Sequence, residues 1–357
     1  MIKEERLLKI GVLGCGLISQ AAHFEACRKA RNAELYAICD VAEDLLEKMA
    51  MMHDVDHAYS DYDAMLANPE IDAVIIGIAD QFHVPATLKA IKAGKHVLIE
   101  KPLGVSIEEC EGLREALEAS GLILQVGNMK RFDPGIAYAQ RFIQEDMGEM
   151  LALKAWYCDS TYRYTVTDNV MPIIQHSANA KRPEGNPKED RDRYYILTHG
   201  SHLVDIAGFL GGNIVALQAW HVKKYGAYNW FVMLEYESGS IGHLDLTIAV
   251  RMDWHEGFHV YGQHGSVLGK TYNPWLFKSS DVEVFSAKDK TYHRPLGEDA
   301  HFYKLQVEAF ADTILHKAPM TGATIDDGIA AMRAMVAIST SVKENKKIRL
   351  EEVSGSV

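Results

Sequence analysis

Three groups of residues carry side chains whose types and spacing are suited to chemistry. The first is Glu100-Lys101-Pro102, which closes the apolar run His96-Val97-Leu98-Ile99. That run reads as a buried parallel strand. Ligands of open α/β sheets bind outside the carboxyl ends of the strands, so an amine stranded there is well placed to act on one. Pro102 restricts the backbone of Lys101 and fixes the turn. A lysine on an ordinary surface loop is the plainer reading of the same tripeptide. The second group is Gly14-Cys15-Gly16-Leu17-Ile18-Ser19 together with Asp40. The third is Thr198-His199-Gly200-Ser201-His202 with Asp205, where helical spacing sets both imidazoles on one face.

Glycines are needed where a backbone must approach a ligand closely, and the amides that open the following helix attract a phosphate. Gly14-x-Gly16-x-x-Ser19 lacks the third glycine of the dinucleotide fingerprint. Its surroundings strengthen it. Residues 7–13 read as a short apolar strand before the turn. Residues 19–30 read as a helix with Ala22, Ala26 and Cys27 toward the core, and 33–39 as a second strand that ends at Asp40. A carboxylate at that place, about 20 residues past the glycines, takes the ribose hydroxyls of the adenosine half. Glu43 and Asp44 are also acidic, and no Lys or Arg is near to hold a 2′-phosphate, so NAD is expected rather than NADP. A helix N-cap is the alternative role for Asp40.

The elements that must position these groups follow from periodicity. Strand 73–79, helix 84–93, strand 95–100, helix 107–120 and strand 122–127 alternate as in a doubly wound parallel sheet. From Leu151 the period falls to two, with Leu151, Leu153, Ala155 and Tyr157 alternating with Ala152, Lys154, Trp156 and Cys158. Residues 229–250 read as a hairpin about Ser238-Gly239. Leu244, Leu246, Ile248 and Val250 lie on one face there, and His243, Asp245 and Thr247 on the other. An antiparallel sheet tolerates such a semi-polar face, which lines a cleft or pairs with another subunit. Between these stretches, residues 160–195 hold Lys181-Arg182-Pro183 and Lys188-Glu189-Asp190-Arg191-Asp192-Arg193 and read as a lid or as mobile surface. Residues 301–316 and 326–344 are amphipathic helices, and the tail after Leu350 is expected to fray.

At 357 residues the chain is long for one core and two domains are expected. A net charge of −12 without a Lys/Arg-rich run argues against nucleic acid and anionic membranes as partners. No apolar stretch reaches the ~18 residues of a membrane span, and the start leads into a strand with no signal-peptide core. The five cysteines, Cys15, Cys27, Cys39, Cys110 and Cys158, have no metal-type spacing and read as reduced, packed thiols of a cytoplasmic protein.

With the glycine turn, Asp40, Glu100-Lys101-Pro102 and Arg131-Phe132-Asp133-Pro134 all in view, the chain resembles the Gfo/Idh/MocA oxidoreductase family over nearly its whole length. The resemblance implies an α/β architecture: an N-terminal NAD-binding Rossmann domain over 1–128, and a C-terminal α+β domain over 129–357. The second domain is built on a large, mostly antiparallel open sheet that serves substrate binding and oligomerisation. The family mostly oxidises or reduces ring hydroxyls of sugars, glycosides and inositols with NAD(P). Gly14, Cys15, Gly16, Leu17 and Ile18 then hold the pyrophosphate, and Lys101 binds and polarises the reacting hydroxyl beside the nicotinamide. Ile78, Ala79, Asp80 and His83 line the cofactor, although the family usually has Thr-Pro-Asn where this chain has Ile78-Ala79-Asp80. Glu100 and Asn128 belong to the cofactor side, with Met129 and Lys130 near nicotinamide and substrate.

The histidine helix allows three readings from its own residues: a metal site, which needs three or four convergent ligands, a pair packed on a helix face, or a general base titrating near neutral pH. The resemblance selects the base. His202 matches the family's catalytic histidine in an Asp/Asn-x-x-x-His pattern, and no metal is expected. Here the acid of that pattern is replaced by Thr198, which orients the substrate with Lys101, and either His202 works with less support or Asp159, Asp168 or His199 supplies it. These three are also candidates for substrate contact. The expected function is NAD-dependent oxidation of a secondary ring hydroxyl of a sugar or glycoside by a homo-oligomer. The alternatives are inositol as substrate, and a non-catalytic sensor of NAD or sugar on the same fold.

Overall fold

The computed structural model describes residues 6–161, 163–179, 189–297 and 299–357. Of the charged insertion, Lys181-Arg182-Pro183 and Lys188 lie outside these residues. The chain divides into two compact units. The first takes the described residues of 1–129, 171–186 and 303–328, and the second those of 130–170, 187–302 and 329–357. Among the described residues no helix is long and apolar enough to cross a membrane.

The first unit is built on a six-stranded parallel sheet of β1 (Leu8–Leu13), β2 (Ala33–Cys39), β3 (His57–Tyr59), β4 (Ala73–Ile76), β5 (His96–Ile99) and β6 (Leu124–Val126). The spatial order is β3-β2-β1-β4-β5-β6, so the winding reverses between β1 and β4. Ile10, Val12 and every residue of β4 are buried, as strands covered on both faces require. The crevice beyond the carboxyl ends of β1 and β4 is therefore the place for a ligand.

The second unit carries a nine-stranded sheet. Its strands are β7 (Met150–Ser160), β8 (Ile214–Lys224), β9 (Ala227–Tyr236), β10 (Ile241–Val250), β11 (His255–Gly262), β12 (Gly265–Thr271), β13 (Asp281–Ser286), β14 (Thr291–His293) and β15 (Ile348–Arg349). Neighbours are antiparallel except β7 and β10, which run parallel at the centre. Leu244, Leu246 and Ile248 are buried on one face, whereas His243, Asp245 and Thr247 are half-buried on the other. Val250 leaves the buried face because β10 shifts register after Ile248, where Ala249 takes a φ of +64°. Leu151 likewise stands exposed at the edge of β7, ahead of buried Leu153, Ala155 and Tyr157.

The C-terminal tail does not fray as its position suggested. Val353 is buried, and Arg333 Nη1 donates to the carbonyls of Leu350 and Val353 at 3.4 and 3.2 Å. All five cysteines are free and buried, and burial pushes the thiols of Cys27, Cys39, Cys110 and Cys158 up to about 12.

Trp230 anchors the inner face of β9. It is 1% exposed, and the His221 ring is stacked on it at 4.2 Å. Trp230→Ala should cost about 3–5 kcal/mol of stability. Trp220→Ala, from a position 47% exposed, should cost less than about 1 kcal/mol. Urea unfolding of the two variants against wild type measures the difference.

Candidate active site

In the first unit the end of β1 opens into the glycine turn. Gly14 has a φ of +97°, and a Cβ there would lie 2.6 Å from the carbonyl oxygen of Gly77, just past β4, so only glycine fits. Gly16 has the opposite surroundings: a Cβ on it would meet no atom within 4 Å. Helix begins at Leu17, and both Gly16 and Leu17 are exposed, so the first helical amides open at the edge of free space. That cradle fits a pyrophosphate. Asp40 is bound into the same turn. Its Oδ2 accepts Cys15 N–H at 2.7 Å and its Oδ1 accepts Ala42 N–H at 2.8 Å. A carboxylate has about four lone-pair sites, so two remain for hydroxyl donors.

The helix from Leu17 widens into a π turn over Ser19–His23 before continuing as Phe24–Lys29. Turns of this kind hold an extra residue and gather at functional sites. His23, at its end, is fully buried, with Nε2 3.0 Å from Oε1 of buried Glu100. Tyr303 closes the pocket, its ring edge-on to His23 at 5.7 Å. Burial alone would push the Glu100 carboxyl up. The imidazole of His23 outweighs this, with help from Lys101 and His83, and holds it below the usual carboxylate value. The same burial, with Glu100 nearby, raises the Tyr303 phenol. Lys101 follows directly, half-buried, with a cis peptide bond to Pro102, and its amide donates to Glu100 Oε2 at 3.2 Å.

The neighbouring loop is braced from within. His83 is buried, with Nδ1 2.7 Å from the Pro102 carbonyl and Nε2 3.1 Å from that of Ile78. It joins the loop after β4 to the loop after β5. Ala79 is exposed and Asp80 half-buried at the open side. Asn128 and Met129 are both buried. Part of the charged insertion also belongs to this unit. Gln20 and Gln175 exchange side-chain to backbone hydrogen bonds at 2.8 and 3.0 Å, and Ser177 Oγ and Ala178 N–H donate to the carboxylate of Asp44 at 2.6 and 2.8 Å.

In the second unit a helix runs from Arg191 through a π turn, Ile196–Gly200, into Ser201–Gly211, which packs on β7 and β10. Both histidines reach the ring of Tyr157 on β7. His202, half-buried, lies parallel to it at 5.9 Å, and His199 meets it edge-on at 5.7 Å. His199 is held at both nitrogens, by Asp159 Oδ2 at 2.9 Å from Nε2 and by Thr198 Oγ1 at 2.7 Å from Nδ1. The Thr198 hydroxyl also lies 2.6 Å from the carbonyl of Tyr194. The carboxylate of this cluster thus comes from β7 and meets His199. Asp168 stands exposed on the helix Arg163–Val170 and, among the described residues, makes no hydrogen bond or ion pair to either histidine.

Charge pairs support this cluster from beneath. Lys130 is paired with Glu256, and its Nζ lies 4.3 Å from the centre of the Tyr157 ring. Burial pushes the Glu256 carboxyl up against the pull of Lys130. Arg131 holds Asp205 through Nε and Nη2, the shortest contact being 2.7 Å. Asp133 caps the helix Pro134–Glu145 and accepts from Ser280. Lys130, which the resemblance put near the substrate, therefore sits in a buried ion pair.

Residues 8–128 match the oxidoreductase family with an NAD-binding Rossmann fold, and residues 169–268 match the GFO/IDH/MocA C-terminal domain. The chain belongs to the Gfo/Idh/MocA family. It is 28% identical to inositol 2-dehydrogenase 2 of Saccharopolyspora erythraea, over 94% of this chain and 93% of that one. It is 26% identical to the NAD⁺-dependent scyllo-inositol 2-dehydrogenase of Bacillus subtilis, over 97% of both. Its fold is that of levoglucosan dehydrogenase in complex with NADH, with a TM-score of 0.77 and 17% identity over 98% and 100% of the two chains. The protein is thus an NAD-binding dehydrogenase of the Gfo/Idh/MocA family.

Three residues of these clusters, His23, Glu256 and Tyr157, do not stand out in the sequence as site residues. Glu256 had a signal, since strand alternation puts it on the buried face with Phe258 and Val260. His23 falls three and four residues before core-facing Ala26 and Cys27, which places an imidazole on a buried helix face. Glu100 ionises more readily folded than unfolded, so its contribution to stability is full above its ordinary value of 4.5 and is lost as pH falls below it. Glu100→Gln should lower stability at neutral pH and lose less than wild type on acidification. Thermal melts across the acid range read both effects.

Proposed function

We propose that the protein oxidises a secondary hydroxyl on a ring polyol to a ketone, with NAD as hydride acceptor. The reading rests on one observation: a helix whose two imidazoles meet the Tyr157 ring, one of them held by buried Asp159 of β7, in a chain whose other unit carries Lys101 beside the dinucleotide turn. NAD supplies the place for the hydride. Gly14 to Ile18 and Asp40 bind it, through the exposed turn and the carboxylate described above. Lys101 stabilises the oxygen of the reacting hydroxyl as its proton leaves, and His202 accepts that proton. Thr198 helps orient the hydroxyl. Positioning carries much of the rate in such a transfer.

A sugar or glycoside is the substrate class we favour, with inositol as the alternative. The inositol dehydrogenase names of the relatives support a cyclic polyol, which covers both. Those names, with Lys101 and His202 both retained, favour an enzyme over a sensor. Self-association through the open face of the nine-stranded sheet belongs to the same reading. It is supported by exposed Trp220 and Phe231, paired directly across β8 and β9.

Lys101→Ala and His202→Ala should each lower NADH formation by at least ~10²-fold and leave NAD affinity near that of wild type. The test is absorbance at the NADH band across inositols, free sugars, O-glycosides and C-glycosides. Normal turnover in both variants would overturn the assignment.

Asp40→Ala should narrow the preference for NAD over NADP, because the carboxylate both hydrogen-bonds ribose hydroxyls and repels a 2′-phosphate. Steady-state kinetics with each cofactor decides it, and a wild type that prefers NADP would refute it.

A further inference from the structure

Residues 171–179, from the charged stretch between β7 and the histidine helix, belong to the first unit. Residues 173–178 form no helix or strand there, so their backbone groups depend on other partners. Two latches supply them. At the first, Gln175 N–H donates to Gln20 Oε1 at 2.8 Å, and Gln20 Nε2 donates to the Gln175 carbonyl at 3.0 Å. The same Nε2 donates to the Cys15 carbonyl at 2.7 Å, so both hydrogens of this buried amide are used. At the second, Ser177 Oγ and Ala178 N–H donate to Asp44 Oδ1 and Oδ2 at 2.6 and 2.8 Å. Lys48, one turn further along the helix Glu43–His53, donates to Gln175 Oε1. The Ser177 hydroxyl holds the Asp44 carboxyl below its usual value, so this latch ends on a charged acceptor.

Both latches are fastened beside the dinucleotide turn. Cys15 carries the first on its carbonyl and gives its N–H to Asp40. Asp40 also accepts from Ala42, two residues before Asp44, which carries the second. The contacts close a ring through Gln175, Gln20, Cys15, Asp40, Ala42, Asp44 and Ser177. Residues 173–178 form one side of that ring and Asp40 the other. Each of its three segments also leaves a large apolar side chain in the open. Leu17 is 53% exposed, Val41 85% and Ile173 87%. One such residue is ordinary surface, whereas three around one acid mark a ligand groove. Adenosine matches both features, with a flat base for the apolar side chains and ribose hydroxyls for Asp40.

We infer that residues 173–178 belong to the cofactor site, as a strap that closes over the adenosine half of NAD and retains it. This rests on the cofactor placement proposed above, with the pyrophosphate on the glycine turn and the ribose on Asp40. No side chain of 173–178 is fully buried, and hydrogen bonds do the fastening. The strap therefore opens as a unit without disturbing a core. Opening frees Gln20 and Asp44 and lets the cofactor exchange. Closing brings Ile173 to the rim of the groove. The rate of opening then sets how fast NADH leaves, a step that limits turnover in many enzymes with lids.

The test is NADH release from the full chain, followed by stopped-flow nicotinamide fluorescence with no substrate present. Lys48 is exposed and Ser177 half-buried, so Lys48→Ala and Ser177→Ala loosen the latches at the surface. The double variant should release NADH about tenfold faster than wild type, as expected for loss of a charge-assisted hydrogen bond. Release at the wild-type rate would overturn the strap. Hydrogen exchange gives a second reading that needs no variant. The amides of 173–178 should exchange more slowly with NADH or ADP bound, and at the free rate with nicotinamide mononucleotide. Protection by the mononucleotide, or by none of the three, overturns the strap as well. Asp40→Ala separates the two readings. If it weakens NADH binding while the strap variants behave as wild type, the strap alone falls. If it binds NADH as tightly as wild type, the cofactor placement falls and the strap with it.

Discussion

A carboxylate buried at the end of a strand must be met by positive charge or it stays protonated, and Glu100 is such a carboxylate. Its partner His23 comes from the helix that opens on the glycine turn, so one contact of 3.0 Å joins the strand carrying Lys101 to the helix expected to receive the cofactor phosphates. Removing one partner of a buried pair costs roughly 3–5 kcal/mol, because the other charge is stranded. The π turn over Ser19–His23 and the edge of the Tyr303 ring belong to the same arrangement. His83 repeats the idea at the next loop, where its two nitrogens bridge the carbonyls of Ile78 and Pro102.

The second unit uses buried charge in the same way. Lys130 with Glu256, Arg131 with Asp205 and Asp159 with His199 gather about Tyr157 and the histidine helix. Such pairs are weak evidence for stability, since desolvation offsets much of the attraction, but they allow few alternative geometries. Side chains that act on a substrate need supports of that kind, with rotamers locked by packing and hydrogen bonds. Thr198 shows the consequence of changing one member. Where an acid would carry charge, its hydroxyl offers one hydrogen to two acceptors, and the charge is found instead on Asp159.

Much of the architecture was legible in the chain because it follows from periodicity. The apolar runs of β1, β4 and β5 could only be covered parallel strands, and the period-two stretches of β7, β9 and β10 could only be half-covered ones. The glycine turn with Asp40 was legible for a similar reason: its conformations and distances are local. What failed were readings that needed a neighbour. Leu151 fits the alternation of β7, yet nothing covers it at the strand's edge. Val250 fits that of β10, yet a register shift moves it off the face. The tail after Leu350 has no sequence sign of the Arg333 side chain that holds it.

The sequence by itself determined the class of fold, the dinucleotide turn and the presence of Lys101, His199 and His202, because backbone sterics and hydrophobic periodicity act within a few residues. Only the tertiary structure decided which charges meet: His23 with Glu100, Lys130 with Glu256, Asp159 with His199. The partners in these pairs are 40 to 126 residues apart along the chain. Their pairing depends on which strands are neighbours and on how each helix turns as it packs, and no local pattern encodes either. Glu100-Lys101-Pro102 and Thr198-x-x-x-His202 therefore announce chemistry in one dimension, and the packed side chains around them set its geometry.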